Sequence, residues 1–149
     1  MVRITVRKGD RKEGKLQVLD ASAELARHSL ALCKNEKLFP KSQRWLLSQR
    51  IVSAALDICG CIREANATML GSGEDGEIAN RYRRSKQVEA HAKLNALLTY
   101  INIAYDVYSL DGDRVRYWTE LTVKTDELLK AWMKSDRERL NGRKPRQGN

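Results

Sequence analysis

Apolar residues recur three and four positions apart through most of this chain, a spacing that predicts helices rather than strands. Leu25, Ser29, Leu32 and Cys33, with Ala26 and Leu30 beside them, predict a first helix from about Asp20 to Glu36, with Asp20 as its N-cap. Asn35-Glu36-Lys37-Leu38-Phe39-Pro40 ends it, because the proline disfavours helical geometry at Phe39 and frees that ring to fold back. A second helix is expected from about Ser42, its cap, to Ala67. Its apolar positions fall on two azimuths: Trp45, Val52, Leu56 and Cys59 on one, and Leu47, Ile51, Ala54, Ile58 and Ile62 on the other. A helix apolar on two sides needs neighbours on two sides, so it is expected at the centre of the fold. Gly60 costs about 1 kcal/mol against alanine in an exposed helix interior, which points to a close backbone approach there.

Gly71-Ser72-Gly73-Glu74-Asp75-Gly76 reads as an inter-helix loop; no Lys-Ser or Lys-Thr follows the glycines, so it lacks the phosphate cradle of a P-loop. The third helix, from Asp75 or Glu77 to Leu110, rests on Ile78, Tyr82, Val88, Ala92, Leu94, Leu98, Ile101, Tyr105 and Tyr108. In the turn after it, Gly112 suits a left-handed cap and Asp113 the next N-cap. The fourth helix, to about Lys134 or beyond, carries the stripe Val115, Trp118, Thr122, Thr125, Leu129 and Trp132, broadened by Leu121 and Leu128. Four long amphipathic helices on short turns predict an all-α, up-down-up-down four-helix bundle over residues 19–135. A basic arm, residues 1–18, precedes it; Val2, Ile4 and Val6 there alternate as a short strand would. A basic tail, residues 136–149, follows and is read as disordered from Asn141 to Asn149.

Composition agrees with helices, since 149 residues include only 9 glycines and 2 prolines. No apolar run approaches the roughly 20 residues of a membrane span. The first residues also lack a signal peptide's apolar core, so a cytoplasmic protein without membrane contact is expected. Net charge changes the picture once it is located. Of the +9 total, residues 1–18 carry six basic and two acidic side chains, and residues 134–149 carry the same numbers. Residues 19–133 hold 16 basic against 15 acidic. Basic arms on a nearly neutral body suit a polyanion, whose counterions they would release, although such arms also serve solubility alone. Within the body, Arg81, Arg83, Arg84, Lys86 and Lys93 crowd the start of the third helix, where the macrodipole opposes them. They form either a solvated face or a patch for phosphate or an acidic partner, and Arg63 is added to the candidates by charge clustering.

Catalytic patterns are absent from the sequence. His28 and His91 have Leu25 and Val88 three residues before them, so the Glu-x-x-His pairs of a di-metal bundle do not occur. Cys59-Gly60-Cys61 is neither a redox C-x-x-C nor half of a zinc site, and Cys33, Cys59 and Cys61 read as reduced core residues. The expectation is a protein with no metal, no cofactor and no catalytic residues.

The stretch Phe39-Pro40-Lys41-Ser42-Gln43-Arg44-Trp45, with Gln49-Arg50-Ile51, Ala55-Leu56-Asp57-Ile58 and Ile62-Arg63-Glu64-Ala65-Asn66, resembles the accessory variability determinant proteins of diversity-generating retroelements. It is more distantly similar to the ribosomal-RNA intervening-sequence proteins, which share the fold. Leu94 to Leu98, Ile103 to Tyr105 and Leu128 to Trp132 look like the family's third and fourth helices, so the likeness spans about 19–135. One departure is that Lys130 and Ala131 stand where the family often has glycines before the last tryptophan. The resemblance implies a non-catalytic four-helix bundle that assembles as a homopentameric barrel. It implies binding to a reverse transcriptase and to retroelement RNA or cDNA, in support of mutagenic cDNA synthesis. The alternative is an intervening-sequence-type bundle, associated with RNA but without a polymerase partner. The cations carried over by the resemblance are Lys41, Arg44 and Arg50, beside Arg63, Arg81, Arg83, Arg84 and Lys86 from clustering.

Overall fold

The computed structural model describes residues 13–142, which run as α1 (Glu13–Lys34), a 3-10 turn (Lys41–Gln43), α2 (Ser48–Ala67), α3 (Gly73–Tyr108) and α4 (Gly112–Gly142). No strand occurs among the described residues, and no helix there is long and apolar enough to cross a membrane. The helices stand in a square: α1 packs on α2 and α4, and α3 packs on the same two. This is the expected antiparallel bundle, but α2 is not central in it. Each helix has two neighbours on adjacent sides.

Packing of α4 follows its sequence stripe. Trp118, Thr122, Thr125, Leu129 and Trp132 are all buried, with Val115 half-buried. The two threonine hydroxyls each donate at 2.8 Å to the carbonyl one turn back, on Trp118 and Leu121, so neither is an orphan in the core. The Trp118 indole N–H donates to Ser29 Oγ at 2.9 Å and ties α4 to α1. Phe39 does fold back, edge-on against Tyr108 and Trp118 at centroid distances of 5.3 and 6.3 Å. The ring closes the end of the core where the chain turns from α1 to α2.

Several expectations are corrected. α1 begins at Glu13, so Asp20 is mid-helix rather than a cap, and Val18 and Leu19 enter the core. The proposed arm therefore overlaps the bundle at 13–18; its first 12 residues, with the strand-like alternation, lie outside the described residues. α2 starts only at Ser48, with Leu47 at the N-cap position and no side-chain cap. Ser42 belongs instead to the 3-10 turn, where backbone bonds such as Leu46 N–H to Gln43 C=O (3.0 Å) satisfy the chain. Of the two azimuths on α2, only that of Leu47, Ile51, Ile58 and Ile62 is buried, with Ala54 half-buried; Trp45 and Leu56 are exposed. A Cβ on Gly60 would meet nothing within 4 Å, so no backbone approaches it. The close approach is between Gly71 and Gly76, where a Cβ on Gly76 would collide with the Gly71 backbone.

On α3 the buried seam is Arg83, Gln87, Ala90, Leu94, Leu97, Ile101 and Ala104, a strict alternation of four- and three-residue steps. Ile78, Tyr82, Val88 and Tyr105, expected inside, are exposed. Two polar residues at the start of the seam had shifted the apparent apolar face. The left-handed cap after α3 is Ser109, at φ 51°, rather than Gly112. Asp111, not Asp113, caps α4, its Oδ1 accepting the Asp113 N–H at 3.3 Å. α4 continues to Gly142 with Asp136 buried, so a domain boundary at 135 would cut a packed helix. The last seven tail residues, 143–149, lie outside the described residues.

Candidate nucleic-acid interface

The antiparallel order sorts the candidate cations into two poles. The α1–α2 connection and the α3–α4 turn share one pole, while the start of α1, the α2–α3 loop and the end of α4 share the other. Lys41 and Arg44 sit on the connecting turn and Arg50 on the first turn of α2, all exposed. Lys34 at the end of α1 and Lys37 in the connection add two exposed cations that were not among the sequence candidates. None of these five belongs to any ion pair among the described residues, where no carboxylate stands in ion-pair contact with them. Glu36 is the one acidic residue between Lys34 and Arg50.

Arg81 and Arg84 are exposed near the start of α3, at the opposite pole. A helix rises about 1.5 Å per residue, so the length of α2 puts roughly 25 Å between them and Arg50. Arg63 is exposed on α2 toward that second pole. Both segments outside the described residues attach there: residues 1–12, with five basic and one acidic side chain, and residues 143–149, with three basic and none acidic.

Two candidates are withdrawn as free phosphate contacts. Arg83 is buried, and its Nε and Nη2 each donate at 2.7 Å to the Asp136 carboxylate. Its Nη1 donates to the Thr68 carbonyl at 3.1 Å, and its guanidinium lies 4.9 Å from the centre of the Trp132 ring. Each of its three nitrogens donates within this chain, and at 3% exposure the side chain is closed off from a ligand in solvent. Lys86 is half-buried and bonds Glu64 at 3.1 Å and Glu89 at 3.3 Å. Those two carboxylates raise its pKa, with Glu64 the larger cause. Lys93 continues the same ladder to Asp57 at 3.0 Å, and that hydrogen bond raises its pKa in turn. Glu89 is held below the usual carboxylate range, chiefly by Lys86. The ladder Asp57–Lys93–Glu89–Lys86–Glu64 laces α2 to α3 and carries charge that is already matched. A trace of the Arg83 arrangement was available in the sequence, because the four-three spacing of Ala90, Leu94, Leu97, Ile101 and Ala104 extends backwards to Gln87 and Arg83.

The histidines occupy the seams. His91 Nδ1 is 2.6 Å from Asp126 Oδ1, and Lys130 reaches the other oxygen of Asp126 at 3.2 Å. His28 stacks edge-on against Tyr117 at 4.9 Å, and its Nε2 is buried without a hydrogen-bond partner. Burial lowers its pKa, opposed by Glu24. Cys61 is buried and its thiol is pushed up to about 11, first by burial and then by its hydrogen bond to Glu89. Cys33 and Cys59 are half-buried, and none of the three cysteines is in a disulfide. Among the described residues no three His, Cys, Asp or Glu side chains converge as metal ligands.

A crystal structure of a protein of unknown function from the S23 ribosomal protein family of Bacteroides thetaiotaomicron is similar in fold, with a TM-score of 0.66 over 81% of this chain and 98% of that one. Sequence identity is 16%, so the likeness is one of fold. No protein-family model and no curated protein matches the chain.

Proposed function

We propose that this protein is a non-catalytic accessory subunit of a diversity-generating retroelement, binding its reverse transcriptase and its template RNA or cDNA in support of mutagenic cDNA synthesis. The observation that carries this reading is the placement of the residues behind the family resemblance. Phe39 is buried in the core, while Lys41 and Arg44 on the turn that follows and Arg50 on the first turn of α2 stand exposed and, among the described residues, in no ion pair. Unpaired cations on a fixed turn suit phosphate contact without base readout, and Arg81 and Arg84 offer a second set at the pole where the charge-rich ends attach. Contact of this kind is salt-sensitive and weakly sequence-specific. The proposal includes assembly as a homopentameric barrel in the cytoplasm, with exposed apolar residues such as Leu56, Ile78 and Val107 available to subunit contacts. Co-purification at low salt tests it: the chain should recover both retroelement RNA and the polymerase, and recovery of neither defeats the reading.

A second reading, an RNA-associated bundle of the intervening-sequence type with no polymerase partner, is favoured by the fold likeness to the S23-family protein. The neighbouring genes separate the two. A reverse transcriptase gene beside template and variable repeats supports the first, and a place within a ribosomal-RNA operon supports the second.

A further inference from the structure

Two residues of the apolar azimuth that sequence placed on α2, Trp45 in the turn before it and Val52 within it, meet the end of α1 in a groove of about 720 Å3. Leu30 and Cys33 add apolar wall, Ser48 and Gln49 add polar wall, and Lys34 and Arg44 also line it. Trp45 is 76% exposed and its neighbour Leu46 68%, whereas Trp118 and Trp132 are buried at 0% and 5%. An exposed tryptophan beside aliphatic walls is costly to leave in water, and contiguous patches of this kind mark interaction sites. Burial pushes the Cys33 thiol up to about 12, consistent with an apolar wall.

We infer that this groove docks an amphipathic helical segment of a partner protein, one carrying acidic residues beside its apolar face. Charge complementarity selects the acidic partner: Lys34 and Arg44 line the groove, Lys37, Lys41 and Arg50 lie within three residues of lining positions in sequence, and none of the five is in an ion pair among the described residues. Shape selects a peptide over a nucleic acid. Unpaired bases need a succession of flat aromatic platforms along a cationic track, whereas here a single indole stands beside a groove whose other apolar lining is Leu30, Ala31, Cys33 and Val52. Side chains three and four apart on a helix fill a concavity of this kind. The inference stands apart from the proposed function, because it needs neither RNA nor a polymerase.

The test is selection from a display library of random helical peptides on the full-length chain, with counter-selection on Leu30→Glu. Leu30 is 40% exposed, so this variant should keep its fold, which circular dichroism checks. The enriched peptides should pair helically spaced apolar residues with net negative charge and should shift Trp45 emission to the blue. They should bind Leu30→Glu and Trp45→Ala roughly tenfold more weakly or worse, read by peptide anisotropy. Enrichment that does not depend on Leu30, or that yields peptides without acidic residues, overturns the inference. So does an oligouridine whose binding is weakened by Leu30→Glu as much as the peptides' is, because phosphate contact with Arg44 alone does not need Leu30. A mass by light scattering that rises with concentration and drops in Leu30→Glu overturns it as well, by making the groove an interface between copies. Retained peptide binding in a chain that recovers neither RNA nor the polymerase would defeat the proposed function and leave this inference standing.

Discussion

Arg83 on α3 and Asp136 on α4, 53 residues apart, meet in a bidentate pair whose side chains are 3% and 8% exposed. Gln87 adds a third donor to the same carboxylate at 2.9 Å. The guanidinium also holds the Thr68 carbonyl, so one side chain fastens the end of α2, the start of α3 and the last turns of α4. A buried pair of this kind adds little over apolar packing of the same volume, but removing one partner strands a charge.

Arg83→Met is accordingly expected to lower stability by about 3–5 kcal/mol, read as the urea midpoint. The double variant Arg83→Met with Asp136→Leu should recover much of the loss, since it strands neither charge. Lys86→Met, which breaks only the solvent-facing ladder, should leave the midpoint close to wild type. A larger loss from Lys86→Met than from Arg83→Met would reverse the assignment.

Truncation makes the same point at the level of domains. A chain ending at Ser135 loses Asp136 and should unfold at a urea concentration as low as Arg83→Met does. A chain ending at Gly142 keeps the pair and should match the full length. Equal midpoints for the two truncations would show that the last turns of α4 carry no stability.

Gly60→Ala should stabilise the protein by about 1 kcal/mol, because the site is helical, exposed and open to a methyl group. Gly76→Ala should destabilise it, because the Gly71 backbone occupies the space. Thermal midpoints of the two variants should move in opposite directions.

For nucleic acid, changing Lys41, Arg44 and Arg50 together to glutamine should weaken single-stranded RNA binding. The log–log salt slope should become shallower by about 0.7 for each phosphate that the variant no longer neutralises. Arg81 and Arg84 changed together form the matched test of the other pole. A salt slope unaltered in both variants would place the phosphate-binding cations in the terminal segments.

His28 gives the chain an acid sensitivity with a definite sign. Its folded pKa lies below its ordinary value of 6.5 because burial disfavours the imidazolium, with Glu24 opposing. The unfolded state therefore binds more protons, and stability falls as pH drops through 6.5 toward the lower folded value. His28→Asn should lose less stability than wild type between neutral and mildly acidic pH. Parallel curves for the two proteins would remove His28 from the account.

Much of the bundle was legible in sequence. Pro40 and the glycines from Gly71 mark the two connections after α1 and α2, although those helices end earlier, at Lys34 and Ala67, and α3 already includes Gly73 and Gly76. The α4 stripe is apolar and regular enough to identify its buried face. Less of the candidate site was legible. A run of cations looks the same whether each points to water or to a carboxylate, so Arg81, Arg83, Arg84 and Lys86 formed one cluster in sequence. The structure divides them into two exposed residues, one core residue and one member of a ladder.

Local sequence thus determined the number of helices, their order and where Phe39 turns inward, because breakers and short-range periodicity act within a few residues. The caps it suggested, at Asp20, Ser42, Gly112 and Asp113, were all displaced. Tertiary structure alone decided which azimuth of α2 is buried, because periodicity reports apolarity around an axis and not where the neighbouring helices stand. It alone decided that Arg83 is internal, because its partners Thr68 and Asp136 lie 15 and 53 residues away and meet only when the bundle closes.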